Sequence, residues 1–268
     1  MTAAGALRML PGVGGGRGSR AVRLVERNVL VYRHAWMVIF SGFFEPLFYL
    51  LSISVGLERL VGDIDAGGSA ITYGEFVAPA LLAASAMNGP LYDTFNVFFK
   101  MHYAGTYQAV VATPVGVHDV ALGEIAWAMI RGAIYAVGFL VVMVVMGLAK
   151  SPAVLLAFPA ALLVSFAFAA CGVAGTTFMR SWQDFDFIAL ITIPLFLFSA
   201  TFYPLSTYSE PFRTLVQITP LYHGVDLIRS LSLGSFRVEL LGHVAYLLAL
   251  GLGALAVASR RLERHLLK

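Results

Sequence analysis

The sequence predicts an all-α integral membrane protein with six transmembrane helices, and two observations carry that expectation. Of 268 residues, 59% are hydrophobic and only 12% are charged, with a mean hydropathy of +0.81, a balance no water-soluble domain could hide from solvent. The apolar residues also lie in uninterrupted runs of about twenty, the length of a spanning helix, where a membrane barrel would alternate apolar with polar positions. In a bilayer only helices and closed barrels satisfy every backbone N–H and C=O, so the runs select helices.

Residues 1–19 are Gly-rich and basic and contain no apolar stretch long enough for a signal-peptide core, and are expected to form a disordered cytoplasmic tail. Over 20–35, Val22, Val25, Val29 and Tyr32 recur at helical spacing while Arg20, Arg23 and Arg27 point elsewhere. That pattern describes an amphipathic helix on the inner leaflet; the plainer reading is a basic stretch that only orients the chain. Residues 36–268 form the membrane domain, with spans expected at 36–57, 76–99, 120–147, 153–179, 187–203 and 240–259, the fifth being the shortest. The segment 204–237 is too polar for another crossing and too apolar for a loop. Thr219 and Pro220 start a helix there, Leu221, Val225, Ile228 and Leu231 make its apolar stripe, and Gly234 stops it, so short re-entrant or interfacial outer helices precede the last span.

Basic residues set the orientation. Twelve lie on the side of the two termini, Lys100 and Arg180 among them, against five opposite (Arg59, Lys150, Arg213, Arg229 and Arg237), which predicts both termini cytoplasmic in a multi-pass protein. No internal repeat relates the halves of the chain.

The chemistry expected of the chain is that of a conduit. The Gly-rich stretch at 12–18 lacks the Lys-Ser/Thr ending of a nucleotide-binding loop, and neither a His-Glu-x-x-His pattern nor a Gly-x-Ser-x-Gly elbow occurs. Catalytic residues and bound cofactors are therefore not expected, and the chain should not hydrolyse ATP. Cys171 is the sole cysteine and lies in an apolar run, where its role is packing; His102, His118, His223 and His243 are scattered, and a metal site is not expected. Charges at bilayer depth are costly, so Glu45, Asp93, Glu124 and Arg131 stand out as candidates for a translocation path or subunit interface. Glu45 sits beside Pro46, which frees a backbone carbonyl. Glu124 and Arg131 are seven residues apart, on one helix face but about 10 Å apart along it at 1.5 Å per residue, so each should pair with another helix rather than with the other. Between the second and third expected spans, Gly105 and Pro114 bracket a short helical run, 106–112, whose Tyr107 and Gln108 are expected to be exposed for a protein contact.

Four stretches in this order, EPLFYLLSISVGL (45–57), GTYQAVVATPVGVHDVALGEIAWA (105–128), LFLFSATFYPLS (195–206) and TPLYHGVDLIRSL (219–231), resemble the permeases of type 2 ABC exporters. The likeness is to the branch with the rhizobial nodulation-factor exporter and related drug and polysaccharide exporters, and covers nearly all of the chain after about residue 25. The resemblance implies a coupling region at 105–119 followed by Gly123 and Glu124, with Gly105, Thr106, Tyr107, Gln108 and Pro114 meeting the ATP-binding subunit. It implies an outer helical motif over 220–229, including Pro220, His223, Asp226 and Arg229. The implied partners are two copies of an ATP-binding cassette subunit using ATP and Mg, a second permease in a homo- or heterodimer, and the lipid membrane, with no nucleic acid. The expected cargo is an amphipathic lipid, a glycolipid or a hydrophobic drug. A proton-coupled secondary transporter using the intramembrane carboxylates is the rival expectation, and an intramembrane enzyme or assembly factor a more distant one.

Overall fold

The computed structural model describes residues 17–33, 37, 44, 47–65 and 70–266. Helix α1 (Arg17–Tyr32) starts three residues earlier than expected. Its packing face also differs from the apolar stripe read in the sequence: Ala21, Leu24 and Asn28 are buried, whereas Val22 and Val29 are about half exposed. The reason is a close approach, because a Cβ on Gly123 would lie 2.8 Å from the Leu24 Cβ, so the glycine admits α1 edge-on and leaves the valines facing outward.

Helix α2 (Leu47–Leu57) closes in a π-turn over Ile53–Leu57, and a two-residue antiparallel ladder, β1 (Ile64–Asp65) with β2 (Ala70–Ile71), sets Ile64 opposite Ile71. Helix α3 (Tyr73–His102) begins at a capping box in which the Glu75 N–H donates to the Thr72 hydroxyl and the Thr72 N–H to the Glu75 carboxylate. Then come α4 (Thr106–Val111), α5 (Val117–Val145), and α6 (Ala157–Thr176), which continues a 3₁₀ turn from Pro152. Helix α7 (Phe185–Phe198), α8 (Glu210–Ile218), α9 (Pro220–Ser232) and α10 (Glu239–Leu266) complete the order.

Among the described residues, three helical stretches are long and apolar enough to cross a bilayer by length and composition: α5, Pro152–Thr176 and α10. Helix α3 has 30 residues but carries Glu75, Asp93 and Lys100. Helix α7 ends at Phe198, five residues before the end of the expected fifth span, and its 14 residues rise about 21 Å at 1.5 Å per residue. Leu190, Ile191 and Ile193 of α7, with Leu241 and Leu252 of α10, leave an apolar outer surface.

The centre of the bundle is α6, which packs against α3, α5, α9 and α10. Its buried face is built of small residues, Ala157, Ala160, Ala161, Ala167, Ala169 and Ala170, which lets neighbouring backbones come close where no hydrophobic force separates helix from lipid. Two apolar clusters stack along it. One holds Leu81, Met87, Phe139, Met143, Leu221 and Ile228; the other holds Leu24, Val97, Tyr107, Ile125, Ala170 and Leu262.

Candidate functional site

The second cluster closes at a polar joint where α1, α3 and α5 meet. The Lys100 ammonium donates to both carboxylate oxygens of Glu124 at 2.8 Å and to Asn28 Oδ1 at 3.1 Å, and the Asn28 amide donates to Glu124 at 3.2 Å. Asn28 and Glu124 are both buried. Desolvating two charges costs several kcal/mol per ion, so the joint persists because every group has a partner of the right sign.

Helix α4 is clamped over this joint. Gly105, at φ +57°, turns the chain out of α3 in a conformation a Cβ disfavours. Thr106 is half-buried, and Tyr107 corrects the expectation of an exposed contact residue: its side chain is fully buried among Val97, Met101, Val117 and Leu262. Burial, and then the neighbouring Glu124, push the Tyr107 phenol well above its ordinary pKa. What α4 presents outward is Gln108, as expected, with Ala109 and Ala112, and the following turn exposes Thr113 and Pro114. Helix α5 then restarts on a cap in which the Gly116 N–H donates to Asp119 Oδ2 at 3.0 Å.

Farther along the same helices, Arg131 of α5 donates to Asp93 of α3 at 2.5 Å and to the Tyr135 hydroxyl at 3.2 Å. The guanidinium carbon also sits 5.5 Å from the ring centre of Tyr32, the last residue of α1. By position in the chain the pair lies at the junction of the two apolar clusters, between Leu91 and Val97 on one helix and Ala128 and Ala136 on the other. Glu124 and Arg131 thus pair with α3 and not with each other, in keeping with the spacing argument. Lys100, read in the sequence only as a loop charge, is the partner that reading missed. Glu45 lies outside the described residues.

The outer motif forms a second polar constellation. Pro220 opens α9, and the Arg229 guanidinium is buried: Nε donates to the Phe76 carbonyl at 3.0 Å, Nη2 to the carbonyls of Ala200 and Thr201 at 2.8 and 3.4 Å, and the Phe76 ring stacks at 3.8 Å. Burial pulls its pKa down to about 10, against the upward pull of Asp226, so it remains a cation at neutral pH. Asp226 Oδ2 accepts from Arg237 at 3.1 Å and from His243 Nε2 at 3.0 Å. Burial opposes the carboxylate, yet the His243 bond and Arg237 hold its pKa below the ordinary value. An ionised Asp226 only accepts, so His243 Nε2 donates to it, and the Nδ1 atoms of His223 and His243 share a hydrogen bond at 2.7 Å. Two histidines read as scattered are therefore adjacent, and His243 and Arg237 join the motif through folding that brings α10 onto α9. Their ring nitrogens serve each other and Asp226, and no cluster of three or more His, Cys, Asp or Glu suited to a metal occurs among the described residues.

The profile of the ABC-2 type transporter family matches residues 21–233. The chain is similar to Nodulation protein J of Rhizobium leguminosarum bv. trifolii, 31% identical over 246 residues, which is 91% of this chain and 92% of that protein. It is similar to Nodulation protein J of Rhizobium meliloti (strain 1021), 28% identical over 90% of this chain and 92% of the relative. Nodulation protein J of Sinorhizobium fredii is 30% identical over 76% of this chain and 78% of its own length.

Proposed function

The chain belongs to the ABC-2 type transporter family, and from that premise we propose that it is the permease subunit of a bacterial inner-membrane exporter that carries an amphipathic lipid, a glycolipid or a hydrophobic drug. Six spans, both termini in the cytoplasm, a second permease and two ATP-binding cassette subunits complete the unit. The observation that carries the reading is the build of α4: an outer face of Gln108, Ala109 and Ala112 over a buried Tyr107, seated on the Lys100–Glu124 joint. Small and uncharged exposed residues suit insertion into a cleft on a partner, and the rigid seat beneath passes displacement into α3 and α5. ATP binding draws the motor subunits together, α4 follows, and the spans switch from inward to outward access.

Of the carboxylates that a proton-coupled carrier would use, Glu45 lies outside the described residues, and Asp93 and Glu124 are each in a close pair with a cation. An apolar substrate route is supported by how few unpaired charges the described spans offer to a hydrated solute. The test is ATPase activity of the complex in nanodiscs. Replacing Ala109 with Trp should leave membrane insertion intact and reduce ATPase stimulation by lipids, glycolipids or hydrophobic drugs several-fold. Transport and stimulation unaffected by Ala109→Trp, or stimulation confined to sugars and amino acids, would refute the coupling role or the substrate class respectively.

A further inference from the structure

Beside the outer motif lies a cavity of about 280 Å³ whose wall includes Tyr222, Asp226, Arg229, Ser230, Ser235 and Arg237. The charges do not balance. Asp226 is the one carboxylate among these, and its Oδ2 is shared by Arg237 and His243. The buried Arg229 has only neutral carbonyls as hydrogen-bond acceptors, and its Nη1 makes no hydrogen bond among the described residues. Arg237 uses Nη2 on Asp226 and on the Ser230 hydroxyl, leaving its Nη1 and Nε without protein acceptors among the described residues. Two guanidinium groups with N–H donors that no described protein atom takes up, Arg229 buried and Arg237 half-exposed, thus line a hollow with a net positive wall beside serine hydroxyls.

We propose that this cavity binds a phosphate- or sulfate-type oxyanion, free or as the headgroup of an amphiphile. Guanidinium forks and hydroxyls reaching in from different directions, from α9 and from the loop after it, match an acceptor with oxygens on several sides better than a single flat carboxylate. A cavity of about 280 Å³ has room for one oxyanion and part of what it is esterified to. Binding also brings a hydrogen-bonded counter-charge to Arg229, whose own hydrogen bonds go to neutral carbonyls. The side chains alone carry the assignment; only its placement on the outer surface, at the exit of the path, rests on the topology proposed above.

The experiment measures thermal unfolding of the purified full-length protein in neutral detergent at constant ionic strength. Sodium phosphate and sodium sulfate are titrated against chloride, and dihexanoyl phosphatidic acid against dihexanoyl phosphatidylcholine. A saturable rise in Tm with phosphate, sulfate or phosphatidic acid, absent with chloride and phosphatidylcholine, is expected, and its midpoint should move about tenfold higher in Arg237→Gln, the loss of one charge-assisted bond. Saturation by phosphate or sulfate alone identifies a soluble oxyanion, and a requirement for phosphatidic acid identifies a headgroup. Should Arg237→Gln not fold, Ser235→Leu, which narrows the cavity, must weaken the midpoint likewise. No saturable rise, a rise that chloride reproduces, or a midpoint unchanged in the folded variant overturns the site. None of these readouts uses ATPase coupling, so the site and the exporter reading fail separately.

Discussion

Replacing Lys100 with methionine takes one cation from the joint beneath α4 and strands its partner. The ammonium bonds both oxygens of Glu124 at 2.8 Å, and the Glu124 side chain is only 3% exposed. Removing one partner of a pair this buried costs about 3–5 kcal/mol, because the remaining charge has no water to return to, whereas removing both in favour of apolar groups is close to neutral. Asn28 still donates to Glu124 at 3.2 Å, which sets the loss near the lower end. At about 2–4 °C per kcal/mol for a chain of this size, Lys100→Met should melt on the order of 10 °C lower, and Lys100→Met with Glu124→Met should recover most of that. Tryptophan fluorescence of the full-length protein in neutral detergent measures both. Arg213→Met is the control, since the Arg213–Glu210 pair is exposed and such pairs contribute about 0.2–1 kcal/mol. A Lys100→Met shift no larger than the control, or a double variant that loses the sum of the two single losses, would refute the joint as an energetic unit.

Single cysteines at Thr106 and Ser209 in a Cys171→Ala background should react with an impermeant thiol reagent from the cytoplasmic and outer sides respectively; outer labelling of Thr106 would reverse the topology. Tyr107→Ala should destabilise the protein by about 3–5 kcal/mol and Tyr107→Phe far less, because the buried ring supplies the contacts; equal losses in thermal unfolding would place the hydroxyl in control. His223 is held neutral, its pKa pulled from 6.5 to about 4 by burial and by His243, against the upward pull of Asp226. Its folded value lies below the unfolded one, so the unfolded chain binds more protons between them, and the stability present above pH 6.5 is lost as the pH falls toward 4. The drop in Tm across that window should be smaller in His223→Gln, and an identical drop would remove His223 as its source.

What was legible in the sequence followed local signals. Gly105 and Pro114 bracketed α4 correctly, Thr219 and Pro220 marked the start of α9, and the seven-residue spacing already separated Glu124 from Arg131. What was not legible depended on how helices rotate about their own axes. A span that is apolar all round, like α6, carries no periodic mark of which side faces its neighbours. The burial of Tyr107, the pairing of Lys100 with Glu124 and the meeting of His223 with His243 all required those rotations. Helix α1 misled for the opposite reason: its periodic valines were clear, yet Gly123 offered a closer fit to Ala21 and Leu24.

Asp93 and Lys100 stand seven residues apart on α3, as Glu124 and Arg131 do on α5, acid first on each, so that the antiparallel packing of the two helices sets acid opposite base. Two helical turns are nearly a full repeat, so sliding one helix past the other by that distance would present almost the same apolar neighbours. One direction of slip brings Lys100 beside Arg131, and the other brings Asp93 beside Glu124. Either misalignment sets like charges together and leaves the other two without partners in the interior of the bundle, where breaking a buried pair costs about 3–5 kcal/mol. The register of this hairpin is thus written in four side chains.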